Sequence, residues 1–132
     1  MNEPVIALCV LVVDDDKSVL SAFRRLLSIP EYGCTVVTMQ DPFAALEYLW
    51  EHPVDLVISD TNLDCSMWGP EFLHWVSRIR PSTARIIMSA GDSLKAQEAI
   101  DNGVAFAFLP KPWNPSELTA LLAEALRISS GG

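Results

Sequence analysis

The chain has 132 residues, half of them apolar, and its 17 acidic and 9 basic side chains give a net charge of −8. This length fits one domain, and the acidic balance opposes non-specific nucleic-acid binding, which needs Lys and Arg to neutralise phosphates. No apolar run approaches the roughly 20 residues that span a bilayer, and the N-terminus lacks the basic and small-residue segments of a signal peptide.

Short apolar runs predict five strands, and apolar periodicity near 3.6 predicts a helix after each of them. In chain order the predicted elements are strand 8–13, helix 17–28, strand 34–39, helix 42–51, strand 55–59, helix 70–80, strand 85–88, helix 93–102, strand 105–109 and a helix that begins near 114. Asp41-Pro42 and the segment 114–117 both fit helix starts. Strict alternation of this kind predicts right-handed crossovers, and therefore an α/β fold whose parallel sheet is covered on both faces.

Each predicted helix has apolar residues at a spacing that we expect to face the sheet. In the order of the helices these are Val19, Leu20, Phe23, Leu26 and Leu27; Phe43, Leu46, Leu49 and Trp50; Phe72, Trp75, Val76 and Ile79; Leu94, Ala96, Ala99 and Ile100; and Leu118, Leu121, Leu122, Ala125 and Leu126. The fourth set is the thinnest. We also expect Trp68 and Trp113 to flank the edge at which the strands end.

Residues that can carry chemistry follow four of the strands. They are Asp14 and Asp15 after the first strand, Asp60 after the third, Ser89 after the fourth and Lys111 after the fifth. The carboxyl ends of parallel strands share one sheet edge, so we expect these side chains to meet. Two carboxylates about 4 Å apart repel by roughly 4 kcal/mol at an effective dielectric of about 20, and one ammonium offsets only part of this repulsion. A divalent cation would balance the rest, so the edge predicts a cation and phosphoryl site.

The three cysteines are far apart in the sequence and form no C-x-x-C motif. Cys9, Cys34 and Cys65 therefore argue against a disulfide framework or a zinc site, and they suit a reducing cytoplasm. We expect them to be small buried residues or inert loop residues.

Four segments in this order, each at a predicted strand end, resemble the receiver domain of two-component response regulators. They are LVVDDD (11–16), DLVISDTN (55–62), RIIMSAG (85–91) and FLPKPW (108–113). The resemblance covers essentially the whole chain and implies a flavodoxin-like, doubly wound sheet of five parallel strands in the order 2-1-3-4-5. It also implies a receiver domain over 1–128, followed by a tail or linker stub at 129–132.

The resemblance implies roles for the residues at the strand ends. Asp60 would accept a phosphoryl group as an aspartyl phosphate, and Lys111 and Ser89 would bind its oxygens. Phosphorylation would then change the positions of Ser89 and Phe108, and with them the face formed by the fourth helix, the fifth strand and the fifth helix.

The resemblance also implies a bound Mg²⁺, or Mn²⁺ in its place. Asp15 would be a direct ligand and Asp14 would bind through water. Asp60 and the backbone carbonyl of Asn62 would complete the set of protein ligands.

Receiver domains of this kind take phosphate from a sensor histidine kinase or a phosphotransfer protein and signal to an output domain or partner protein. The cysteine pattern, the acidic charge balance and the lack of a long apolar run predict a cytoplasmic protein that binds neither nucleic acid directly nor a membrane. A homodimer through the fourth helix, fifth strand and fifth helix is a further arrangement that it allows. The protein would assist its own phosphorylation and dephosphorylation without being a conventional turnover enzyme.

The segment after Asp60 departs from the usual pattern of the family. The family commonly has Met-Pro where Leu63-Asp64 stands, and its glycine usually lies eight residues after the phosphoacceptor, whereas Gly69 lies nine residues after Asp60. This departure leaves open a receiver-like interaction module that takes no phosphate. An aspartate-nucleophile phosphatase is a less favoured alternative, because such enzymes usually carry an acid/base Asp where Asn62 stands.

Overall fold

Strands and helices alternate along the described chain, as the sequence predicts. The computed structural model describes residues 8–28, 33–63, 67–90 and 94–129. In chain order the elements are β1 (Leu8–Val13), α1 (Lys17–Leu27), β2 (Cys34–Met39), α2 (Pro42–Glu51), β3 (Leu56–Asp60), α3 (Gly69–Ile79), β4 (Ala84–Ala90), α4 (Leu94–Asp101), β5 (Ala107–Lys111) and α5 (Pro115–Ser129). Each predicted element is present, with small shifts at its ends.

The five strands form one parallel sheet in the order β2-β1-β3-β4-β5. This order confirms the predicted doubly wound, flavodoxin-like α/β topology. In the strand register Val13 of β1 lies opposite Ser59 of β3, and Ala90 of β4 lies opposite Lys111 of β5. The chain moves outward from β1 in both directions, so the carboxyl ends of β1 and β3 border the crevice at which such sheets bind ligands.

Alternate strand residues pack into two apolar cores, one on each face of the sheet. Val10 and Val12 of β1 lie in the core that includes residues of α1 and α5. Leu11 and Val13 lie in the core that includes residues of α2, α3 and α4. All four side chains are fully buried. This explains why the sequence of β1 is continuously apolar and does not alternate between apolar and polar residues.

Four large apolar side chains that were predicted to face the sheet are exposed instead, namely Phe43, Trp50, Trp75 and Leu94. The prediction was wrong for these residues. In α2 the buried positions include Ala45 and Leu49, and in α4 they are Ala96 and Ala99. Alanine lets α2 and α4 lie close to the sheet, so Phe43, Trp50 and Leu94 on the flanks of these two helices stay in water.

Some predictions fall outside the described residues. They concern Asp64 and Cys65 in the loop after β3, the expected first residue of the fourth helix at 93, the tail beyond Ser129 and the side chain of Leu126. Among the helices that are described, none is long and apolar enough to cross a membrane.

Asp41 caps α2, as the Asp41-Pro42 pair predicts, because its side chain accepts a hydrogen bond from the backbone N–H of Phe43 at 2.9 Å. We expect Asp41→Ala to lower the free energy of unfolding by about 1 kcal/mol, since the helix then loses an acceptor for its first N–H groups. Urea unfolding followed by circular dichroism measures this change. The control is Glu47→Ala, at an exposed position within the same helix, which should cost less than about 0.5 kcal/mol. Equal losses in the two variants would contradict the capping role.

Candidate functional site

The carboxyl ends of the strands border a cavity of about 480 Å³. Its lining includes the six predicted candidates Asp14, Asp15, Asp60, Asn62, Ser89 and Lys111. Phe108, the predicted switch residue, is not part of the lining. Thr61, Trp68 and Lys95 also line the cavity, and of these three only Trp68 was expected near the site.

Lys111 bridges two carboxylates within this cavity. Its Nζ lies 2.8 Å from Asp14 Oδ2 and 3.2 Å from Asp60 Oδ1. The Asp14 side chain is fully buried, and that of Lys111 is 18% exposed. The ends of β1, β3 and β5 therefore come together as predicted, although the three residues are far apart in the sequence.

The three successive acids after β1 have three different environments. Asp14 is buried, and its Oδ1 accepts a hydrogen bond from the backbone N–H of Asp16 at 2.9 Å. Asp15 is exposed at the cavity. Asp16 is the N-cap of α1, where its Oδ1 accepts hydrogen bonds from the backbone N–H and hydroxyl of Ser18 at 2.9 and 2.6 Å. These two hydrogen bonds from Ser18 lower the pKa of Asp16. The carboxylate of Asp16 therefore caps α1.

Three carboxylates are close enough to hold a metal ion together. One oxygen each from Asp14, Asp15 and Asp60 lies within 4.8 Å of the other two. Asp14 Oδ2 is buried, and among the described groups it has the ion pair with Lys111 but no well-directed hydrogen bond. Hard, anionic oxygen donors with remaining lone pairs suit Mg²⁺, so the residues present fit such an ion.

The electrostatics of the cluster favour added positive charge. Burial raises the pKa of the Asp60 carboxyl, and the charge of Asp14 raises it further, while Lys111 opposes both effects. Burial likewise raises the pKa of Asp14. Burial alone would lower the pKa of Lys111, but its two carboxylate partners outweigh this and raise the pKa overall. The ionised carboxylates are thus less stable here than in water, and a cation would stabilise them.

Gly69 fixes the start of α3 against the end of β3. Its backbone N–H donates a hydrogen bond to the carbonyl of Thr61 at 2.9 Å. A Cβ at this position would lie 1.9 Å from the carbonyl oxygen of Asp60. Leu63 and Met67 of the intervening loop are buried in the core beneath α2, α3 and α4. The shifted glycine therefore keeps the phosphoacceptor candidate and α3 in close contact despite the unusual loop.

Ser89 and Phe108 lie on the same face of the sheet, though at different depths. Ile87 and Phe108 are neighbours in the register of β4 and β5, and both belong to the core beneath α2, α3 and α4. Ser89 is two residues beyond Ile87, so it points to this face, and it is buried at the cavity. The two predicted switch residues thus lie on the face of the sheet that α4 covers. Ser89 is at the cavity, and Phe108 is deeper in the sheet.

A parallel α/β sheet that carries a carboxylate cluster and one lysine beside its switch point is typical of domains that handle cations and phosphoryl groups. Residues 10–123 match the response regulator receiver domain family, and the chain belongs to that family. The resemblance to receiver domains of two-component systems is therefore confirmed.

Curated relatives agree with this assignment. The chain is 32% identical over 120 residues to the transcriptional regulatory protein GlrR of Escherichia coli (strain K12), which covers 91% of this chain and 26% of the relative. It is 36% identical over 124 residues to protein-glutamate methylesterase/protein-glutamine glutaminase 4 of Anaeromyxobacter dehalogenans (strain 2CP-C), which covers 89% of this chain and 34% of the relative. The chain spans only 26% and 34% of the lengths of these two proteins.

Solved structures share the fold. The signal receiver domain of an HD domain-containing protein from Pseudomonas fluorescens Pf-5 has a TM-score of 0.83 and 32% identity, covering 94% of this chain and 90% of that one. A response regulator receiver domain protein from Clostridium thermocellum has a TM-score of 0.81 and 26% identity, covering 91% and 94%.

Proposed function

We propose that this receiver domain accepts a phosphoryl group on Asp60. The observation that carries the proposal is the position of the Asp60 carboxylate, 3.2 Å from Lys111 Nζ and within one cluster with Asp14 and Asp15. Burial and the charge of Asp14 destabilise the ionised Asp60, so Lys111 and a bound cation would be needed to offset the further negative charge of a phosphoryl group. The family assignment supports the same role.

The donor would be a phosphohistidine on a sensor kinase or a phosphotransfer protein. A carboxylate oxygen of Asp60 attacks phosphorus, a new O–P bond forms and the P–N bond breaks. The bonding electron pair stays on the imidazole nitrogen, which takes a proton from water. Lys111 would stabilise negative charge on the transferred group, and Ser89 would donate a hydrogen bond to it.

Asp14, Asp15, Asp60 and the backbone carbonyl of Asn62 would hold Mg²⁺ or Mn²⁺ at this site. The ion would supply positive charge opposite the phosphoryl oxygens, which Lys111 alone does not supply. The protein's own contribution is to hold the carboxylates and Lys111 together at the strand ends.

The phosphorylated state would act through Ser89 and Phe108 on the face formed by α4, β5 and α5. A phosphoryl group shifts the balance between two arrangements only if it interacts better with one of them. An output domain, a partner protein or a second copy would recognise the favoured arrangement of this face. In this proposal residues 1–128 form a cytoplasmic signalling domain rather than a conventional turnover enzyme.

The test is intact-mass measurement after incubation with phosphoramidate and Mg²⁺. We expect a single, base-labile phosphoryl adduct that disappears in Asp60→Asn and in the presence of a chelator. Asp16→Asn, which alters the N-cap of α1 but leaves Asp60 in place, is the matched control and should still be labelled. A phosphoryl adduct that persists in Asp60→Asn would reject Asp60 as the acceptor. No adduct on the wild-type protein would favour the interaction module that takes no phosphate.

A further inference from the structure

A second lysine lines the cavity apart from the cluster of Asp14, Asp60 and Lys111. Lys95, in the first turn of α4, has its Nζ 3.7 Å from the ring centroid of Trp68, the residue before α3. Both side chains line the same cavity as Asp60. In the part of the chain that the structure describes, no carboxylate lies within salt-bridge distance of Lys95. The ammonium of Lys95 therefore contacts the face of the Trp68 indole ring rather than a carboxylate.

The backbone next to Trp68 lies close to Asp60. The next residue, Gly69, donates its N–H to the carbonyl of Thr61 at 2.9 Å and lies directly against the carbonyl of Asp60. Trp68 itself is about half exposed and makes no side-chain capping bond to α3. Its ring thus stands at the border of the cavity, where it keeps the Lys95 ammonium near the phosphoacceptor candidate. A cation over an exposed ring is weakly bound, so it can move to a stronger partner.

Phosphorylation would create such a partner. A phosphoryl group carries nearly two negative charges at neutral pH. On Asp60 it would take the place of a carboxylate charge of minus one. Before this change, Lys111 and a bound divalent cation would together balance the charges of Asp14, Asp15 and Asp60. After it, about one negative charge would be in excess, and among the described residues Lys95 is the lysine besides Lys111 that lines the cavity.

We propose that Lys95 is a second phosphate-binding lysine, which leaves the ring of Trp68 and pairs with a phosphoryl oxygen when Asp60 is phosphorylated. This inference rests on the proposed phosphorylation of Asp60. The four-carbon stem of lysine lets the ammonium move between two positions in one cavity. Because Lys95 belongs to α4, the same movement changes the contacts between the start of α4 and the start of α3.

Lysine labelled with ¹³C at the ε position provides a direct test, because the chain has only three lysines, Lys17, Lys95 and Lys111. Protons above an aromatic ring are shielded, so the ε-methylene signal of Lys95 should lie upfield of the other two. Its loss in Lys95→Met assigns it. Trp68→Leu should move it downfield, whereas Trp75→Leu, at a ring of similar exposure on α3, should not. On phosphorylation with phosphoramidate and Mg²⁺, we expect the signal of Lys95 to move downfield while that of Lys17 stays.

A rate measurement provides the second readout. Lys95→Met should slow formation of the adduct about threefold, the size expected for a partly exposed ion pair, and Lys17→Met should leave the rate unchanged. An unmoved Lys95 signal in protein that intact mass shows to be phosphorylated overturns the inference, and so does a wild-type rate in Lys95→Met. Absence of any adduct on the wild-type protein would instead reject the proposed function, and this inference with it.

Discussion

Gly69→Ala is expected to lower the free energy of unfolding by about 3 kcal/mol, because the added methyl group overlaps the backbone. Its Cβ would lie 1.9 Å from the carbonyl oxygen of Asp60, and the other close atoms belong to the backbone of Asp60 and Thr61. A backbone carbonyl at the end of a buried strand cannot rotate aside as a flexible side chain can. Either α3 or the end of β3 must therefore move. Urea unfolding followed by circular dichroism gives the loss.

Gly103→Ala is the matched control for this substitution. Gly103 has a φ of 75°, but no heavy atom lies within 4 Å of a Cβ built there. Its replacement should cost only the strain of a left-handed backbone, about 1 kcal/mol. If Gly69→Ala is no more destabilising than Gly103→Ala, the close packing of α3 on β3 is wrong. The displacement of Asp60 in Gly69→Ala should also slow its labelling by phosphoramidate, which intact mass can follow.

The element order and the sheet topology could be predicted from the sequence because they depend on local patterns. Buried parallel strands read as apolar runs, and each run is followed by a helix with its own capping or turn signals. The strand ends were less predictable. Strand β5 extends to Lys111, and β3 extends to Asp60, because ladder hydrogen bonds continue into polar residues that the apolar pattern leaves out.

The candidate site was predictable to the extent that it is built on strand ends. Asp14, Asp60 and Lys111 follow apolar runs, and the topology alone brings such positions to one edge. Lys95 carries no such signal, because its place depends on how α4 lies relative to α3. The exposure of Trp50 was unpredictable for a similar reason. Apolar periodicity indicates one face of α2, but it does not show that Ala45 packs on the sheet while Trp50 stays exposed.

Lys111→Met is expected to lower the free energy of unfolding by about 3 kcal/mol in buffer that contains a chelator. Lys111 is the ion-pair partner of the fully buried Asp14 at 2.8 Å and of Asp60 at 3.2 Å. Removing its ammonium leaves two crowded carboxylates that burial already destabilises in their ionised forms. The methionine keeps most of the apolar stem, so the loss reports on charge rather than on packing. Lys17→Met, at an exposed position in α1, is the control and should change stability by less than about 0.5 kcal/mol.

A second substitution separates the buried charge from other effects of Lys111→Met. Adding Asp14→Asn removes the carboxylate that has lost its partner, so the double variant should regain most of the lost stability. Urea unfolding of the wild type, both single variants and the double variant gives the coupling free energy between the two residues. Losses that simply add would mean that Lys111 and Asp14 do not interact. Addition of Mg²⁺ should also stabilise Lys111→Met, because an ion held by the remaining carboxylates binds only the folded protein.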